Sequence, residues 1–186
     1  SATAVKELRE LSGAGMMDCK KALQEAEGDI KKAMEVLRKN GIAKAQKKVG
    51  RSASDGVVIP YIHPGSKLGV LLEVNCETDF VARTEGFQDF CKDVAMHIAA
   101  ASPLTVLREE LSEEVVETEK NIFRDQSKKS GKPDEIIEKM IDGRMNKFYQ
   151  ENVLMEQSFV KNPDLSINDL LTETIAKLGE NISIAR

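Results

Sequence analysis

Glu73, Glu77 and Asp79 are the carboxylates whose spacing could serve acid–base work, and Cys19, Cys76, Cys91, His63 and His97 are the groups that could act as nucleophiles, bases or metal ligands. None of these sets is complete. Paired carboxylates need a pocket around them, and the flanking residues supply no second polar cluster to build one. The three cysteines are far apart, form no CxxC pair and have only two histidines to assist, which suits neither structural zinc nor a disulfide framework. Cys76 and Cys91 read as small buried apolar residues, and the three together suggest a reducing compartment. Gly13-Ala14-Gly15 lacks the third glycine and the preceding strand of a dinucleotide fingerprint, and no GxxxxGK[ST] loop is present to cradle phosphates. What remains is non-covalent work: a chain that binds, without a catalytic group, cofactor or metal of its own.

Two positions stand out as contact candidates. His63 precedes Pro64-Gly65 at an expected hairpin tip, where it serves either as a turn residue or as an accessible contact. Asp79-Phe80 has two readings: Asp79 caps a short turn over a core Phe80, or both side chains are displayed to a partner. Spacing alone favours the first. His97, beside Ile98 on a core-facing helix, reads as a packed or surface histidine.

The elements that position these residues follow from periodicity. Residues 3–41 predict three short helices, with Val5, Leu8 and Leu11 on the first, Cys19, Ala22, Leu23 and Ala26 on the second, and Ile30, Ala33, Met34 and Leu37 on the third. Ser12-Gly13-Ala14-Gly15 breaks the first helix, Asp29 caps the third, and Asn40-Gly41 ends it. Residues 42–55 carry Lys44, Lys47, Lys48 and Arg51 and few large apolar side chains, as a linker or solvated helix does. Gly56 to Ile62 and Leu68 to Asn75 predict a β-hairpin, whose second strand is so continuously apolar that cover on both faces is expected. A helix from Glu85 to Ala101 follows, with Phe87, Phe90, Val94 and Ile98 on one stripe.

A second pattern begins near Ser112. Leu111, Val115, Thr118 and Ile122, then Ile137, Met140 or Ile141, and Phe148, form narrow seams on either side of Ser130-Gly131-Lys132-Pro133. These predict an antiparallel coiled coil with arms of about 27 Å at the helical rise. The chain then returns through residues 153–160 to a helix bearing Ile167, Leu170, Leu171, Ile175 and Leu178, and to a terminal strand over 181–185. The expected class is α+β: a three-helix bundle (1–41), a basic linker (42–55), a small antiparallel-sheet core in two parts (56–111 and 152–186) and a protruding helical hairpin (112–151).

Composition limits the partners. With 41% hydrophobic and 31% charged residues the chain is ordinary for a globular protein. A net charge of -4, two Tyr, six Phe and no Trp argue against nucleic acid, which needs a basic face and stacking platforms. No stretch nears the roughly 20 apolar residues of a membrane span, and no secretory or transit segment is visible. A cytoplasmic location is expected, or an organellar matrix after removal of a leader.

From Gly13 to Leu23, and again from Glu73 to Val81, the chain closely resembles the bacterial-type elongation factor Ts family. The likeness continues through Ala95-Met96-His97-Ile98-Ala99, Ser130-Gly131-Lys132-Pro133, Gly143-Arg144-Met145 and Gly179-Glu180-Asn181-Ile182, in the family's order. It implies a guanine nucleotide exchange factor that displaces GDP from elongation factor Tu. It further implies a ubiquitin-associated-like N-terminal bundle that docks on the GTPase through Arg9, Met16 and Met17. Thr78, Asp79, Phe80 and Val81 match the family segment that disturbs the magnesium site, and His63 matches its hairpin histidine. Longer members carry a duplicated core, whereas this chain has room for one copy, so self-association as a homodimer is expected in place of the missing half. The chain stops at Arg186, short of the family's basic and aromatic ending, and the sheet edge is expected to be incomplete there.

Overall fold

Apolar residues at helical spacing, with a capping group at each break, give the first three helices. The computed structural model describes residues 1–128 and 133–186, so the expected turn at Ser130-Gly131-Lys132 lies outside the described residues. The described chain is α+β. It divides into two compact units: Ser1–Ile59 with Glu73–Lys92 and Asp169–Ala185, and Pro60–Leu72 with Asp93–Asn168 and Arg186.

In the first unit, helices α1 (Ala2–Ser12), α2 (Met16–Glu25) and α3 (Ile30–Gln46) close around Leu8, Cys19, Ala22, Leu23, Ala26 and Ala33. Ser1 caps α1, Asp29 accepts from Lys32 N–H at 3.0 Å to cap α3, and Gly13 ends α1 at φ 65° while donating to Arg9 O. The expected stop at Asn40-Gly41 is overridden, and α3 runs on to Gln46. A glycine inside a helix costs about 1 kcal/mol. Here the extension is offset by the burial of Ala45 and by an ion pair of 2.7 Å between Lys44 and Asp18. Leu11, expected in the core, is 63% exposed and borders a cavity of about 350 Å³ between the bundle and the later helix α8 (Ile167–Leu178).

The main sheet has the order β1-β2-β5, formed by β1 (Asp55–Ile62), β2 (Gly69–Cys76) and β5 (Ile182–Ile184). β2 and β5 are antiparallel, with Val74 opposite Ile184 and Cys76 opposite Ile182. Gly56 is required where β1 passes β2: its φ is 140°, and a Cβ there would stand 2.2 Å from the carbonyl oxygen of Val74. The apolar run of β2 predicts cover on both faces, but the strand alternates. Leu72, Val74 and Cys76 are buried while Leu71 is 71% exposed. The run is continuous in type, yet the described sheet buries only the face carrying Leu72, Val74 and Cys76.

After β2 come the short helix α4 (Asp79–Ala82) and α5 (Glu85–Ala101), whose Phe87, Phe90 and Val94 are buried as the stripe predicts. No helix among the described residues is long and apolar enough to cross a membrane.

In the second unit, α6 (Glu113–Lys128) and α7 (Asp134–Asn152) pack along Ile137, Ile141 and Met145 of α7, with Val116 and Phe123 of α6 against them. The α6 seam is therefore one residue away from the expected one, and Val115 and Ile122 are exposed. Phe123 supplies the aromatic ring of the α6 side of the seam, packed against Ile137, Ile141 and Met145 of the partner helix. A second pairing, β3 (Ser158–Phe159) with β4 (Asn162–Ser166), was not expected from a segment containing Pro163.

His97 is fully buried and holds this unit's polar centre. Its Nε2 lies 3.0 Å from Gln157 Oε1, and Nδ1 accepts from the backbone N–H of Val160 at 3.3 Å. Because the Val160 amide can only donate, Nδ1 is the bare nitrogen and Nε2 carries the proton, so the ring is neutral. Gln157 is itself fixed by donating to Glu151 O at 2.8 Å. Burial holds the His97 pKa below 6.5, with Gln157 pulling weakly upward. The unfolded chain thus binds a proton that the native one excludes, and stability falls as pH drops below 6.5 toward the native value. Urea titrations between pH 5 and 8 are expected to show that decline in wild type and a shallower one in His97→Gln.

Candidate partner-contact site

The segment Thr78 to Val81 is built by the end of β2. Thr78, not Asp79, is the N-cap of α4: its backbone is extended and its Oγ1 accepts from Val81 N–H at 3.4 Å. The other end of the turn is closed as well, because Thr84 Oγ1 donates to Val81 O at 2.8 Å and Gln88 Nε2 donates to Ala82 O at 2.7 Å. Ala82 is buried and anchors the turn. Phe80 is 80% exposed. The reading of a capped turn over a core phenylalanine therefore fails on both counts, since the cap falls one residue earlier and this places Phe80 on the outer side of the turn.

Asp79 lies 2.9 Å from Arg83, one helical turn on, and both side chains are substantially exposed. An exposed pair of this kind contributes little stability. Its consequence is electrostatic: the tip presents an aromatic ring beside a carboxylate already matched by a guanidinium. Neither Arg83 nor Tyr61, whose hydroxyl lies 3.2 Å from His63 Nδ1, was anticipated from the sequence. An i, i+4 charge pair was the available signal for Arg83.

The base of the tip is held by a reciprocal exchange of carboxylates. Glu180 Oε2 accepts from the backbone N–H groups of Glu77 and Thr78 at 3.1 and 3.0 Å, and Glu180 Oε1 accepts from Thr78 Oγ1 at 2.7 Å. In return, Glu77 Oε1 accepts from Asn181 N–H at 2.7 Å, and Asn181 Nδ2 donates to Arg51 O at 2.7 Å. Arg51 and Glu77 form an ion pair at 3.7 Å. These bonds continue the β2–β5 ladder past Cys76 and Ile182, with side chains in place of backbone partners.

Arg9, Met16 and Met17 flank the turn between α1 and α2. Ser12 Oγ donates to Leu8 O at 2.6 Å and accepts from Ala14 N–H at 3.2 Å, fixing that turn. Met16 and Met17 are 47% and 62% exposed, and Arg9 is exposed, which leaves an adaptable apolar and cationic surface. These residues share the first unit with Thr78 to Val81, whereas His63 belongs to the second. There it is exposed at the hairpin tip, where its backbone N–H donates to Leu68 O and Gly65 and Ser66 take positive φ.

A family model described as Elongation factor TS matches residues 1–182. The chain belongs to the elongation factor Ts family. It is 61% identical to Elongation factor Ts of Geotalea daltonii, over all of this chain and 86% of that one. It is 58% identical to Elongation factor Ts of Carboxydothermus hydrogenoformans over 98% of this chain and 84% of that one. With Elongation factor Ts of Thermosipho melanesiensis the identity is 56%, over all of this chain and 95% of its relative. Membership makes the chain a nucleotide exchange factor of translation elongation.

The thiols take no part in the exposed surface. Cys19, Cys76 and Cys91 are all buried. Burial pushes the Cys91 thiol up to about 12, and burial followed by the nearby Glu180 charge raises that of Cys76. A thiol-specific chromogenic reagent at pH 8 is expected to leave all three cysteines unreacted in the folded protein and to titrate three after denaturation.

Proposed function

We propose that the chain promotes release of GDP from elongation factor Tu by inserting Asp79 and Phe80 beside the magnesium and nucleotide site of that GTPase. The observation that carries this reading is an 80% exposed phenylalanine on a turn whose backbone is hydrogen-bonded at both ends. Phe80 acts as the wedge that displaces partner elements near the nucleotide. Asp79 perturbs the polar contacts around the bound ion. Magnesium demands near-octahedral oxygen ligation, so a small displacement of its supports loosens the phosphates it bridges. No covalent step is needed. Binding of the factor weakens the nucleotide, and the nucleotide weakens the factor by the same free energy, typically about 1–3 kcal/mol for such couplings.

Docking falls to Arg9, Met16 and Met17 on the N-terminal helices, with His63 as a further contact. The division of labour separates cleanly in kinetics. Phe80→Ala should lower the maximal rate of fluescent-GDP release from elongation factor Tu at least tenfold in stopped flow while keeping the half-saturating concentration within about twofold, since a wedge acts on the transition and not on docking. Met17→Ala combined with Arg9→Ala should do the reverse. A wild-type maximal rate in Phe80→Ala would remove the wedge from the mechanism.

Self-association is supported by the outer face of the β1–β2 hairpin. Ile62 and Leu71 are 60% and 71% exposed, and Leu71 lies on the face opposite buried Leu72. Such a strand face is covered in most proteins by a second layer. Multi-angle light scattering should give a dimer mass for this chain and a monomer mass for Leu71→Lys; a monomer in both would exclude this face as a dimer interface.

A further inference from the structure

Exposure explains how Phe80 reaches a partner but not what keeps it aimed. A turn of four residues, Asp79–Ala82, is too short to hold its own geometry, and its orientation depends on the cap and on what holds the cap. Thr78 Oγ1 has one proton to give and two lone pairs. Glu180 takes the proton at 2.7 Å, which leaves a lone pair directed at Val81 N–H, 3.4 Å away. The other Glu180 oxygen takes the N–H groups of Glu77 and Thr78, the last two backbone donors before the turn. The Thr78 hydroxyl and the two backbone amides that lead into the turn are thus all held by one carboxylate.

We propose that Glu180 is a positioning residue for nucleotide exchange: it sets the Thr78 cap and the backbone at 77–78, and so fixes the direction in which Asp79 and Phe80 are presented. The proposal rests on the wedge reading above. Glu180 itself touches neither partner nor nucleotide in this role. Joining β5 to β2 would not require its arrangement, because the backbone ladder through Val74, Asn75 and Cys76 and the Asn181-to-Glu77 bond already do so. Its bonds go to the one hydroxyl that caps α4 and to the two amides that lead into that cap. Its own placement comes from Gly179, which leaves α8 at φ 79° with its N–H on Ile175 O at 2.8 Å.

The test is a set of Glu180 variants in the full chain, assayed by GDP release from elongation factor Tu. Glu180→Ala should lower the maximal rate about tenfold with the half-saturating concentration within twofold. Glu180→Gln should fall between it and wild type, because the amide oxygen can keep the two backbone bonds without charge assistance, while the amide nitrogen cannot accept the Thr78 hydroxyl proton. The double variant Phe80→Ala/Glu180→Ala should be no slower than Phe80→Ala alone, since a residue that acts only by aiming the ring has nothing left to aim. Amide hydrogen exchange should speed at least tenfold at Glu77 and Thr78 in Glu180→Ala, with the urea midpoint measured alongside. If Glu180→Ala does not fold, Glu180→Gln carries the same comparisons. A wild-type maximal rate in either variant, or a double variant slowed by the full product of the two single effects, overturns the positioning role. Loss of rate in Glu180→Ala with none in Phe80→Ala would instead overturn the wedge reading on which it rests.

Discussion

An exposed aromatic ring can act as a directed tool only if the backbone beneath it has no freedom to collapse, and that constraint organises the first unit. Left to itself, a ring such as Phe80 gains by folding onto the nearest apolar surface. The turn prevents this by having its polar groups already committed. Thr78 caps its start, Thr84 and Gln88 close its end, and Ala82 anchors it into the buried layer. Moving the backbone beneath Phe80 would break several of these bonds at once, each contributing about 0.5–1.5 kcal/mol net.

The same requirement accounts for the unusual traffic of carboxylates at the sheet's end. Backbone pairing between β2 and β5 stops at Cys76 and Ile182, where the chain must turn into α4. Beyond that point Glu77 and Glu180 accept each other's strand's amides. Glu180 is met by three donors, and Glu77 by the Asn181 amide and by Arg51 at 3.7 Å, so neither carboxylate lacks a partner. Further back, Gly56 lets β1 approach the Val74 carbonyl without a Cβ in the way. Tip, cap, ladder end and close strand contact form one continuous support.

Helices were legible in the sequence to the extent that their apolar stripes were unambiguous. Leu8, Cys19, Ala22, Leu23 and Ala33 fell in the bundle core, and Phe87, Phe90 and Val94 in that of α5, because period and burial coincide there. Misreadings arose where residue type and tertiary context disagree. Gly41 reads as a stop, but Ala45 and Lys44 further on gain contacts that outweigh one glycine. Leu71 reads as core, but which strand face is covered is not encoded in the strand itself. On α6, Val115 and Ile122 obey the heptad spacing as well as Val116 and Phe123 do, and only the partner helix chooses between them. At the site, Phe80 illustrates the limit most sharply: the shift of a cap from Asp79 to Thr78 turns a buried ring into a displayed one, and local spacing permits both. The full-length family likeness separated the two readings where periodicity did not.

The Asp79–Arg83 pair bears on how such a tip can approach a charged site at all. A lone carboxylate carried toward nucleotide phosphates would meet like charge and lose hydration on the way. With Arg83 at 2.9 Å, the tip carries a matched pair of charges beside its exposed ring. The pair is exposed enough that little free energy opposes its separation. Asp79 is therefore matched in the free chain and can exchange Arg83 for a competing cation or polar group at little cost. A ring on a turn hydrogen-bonded at both ends, beside a loosely held ion pair, combines a fixed apolar contact with charges that can change partners.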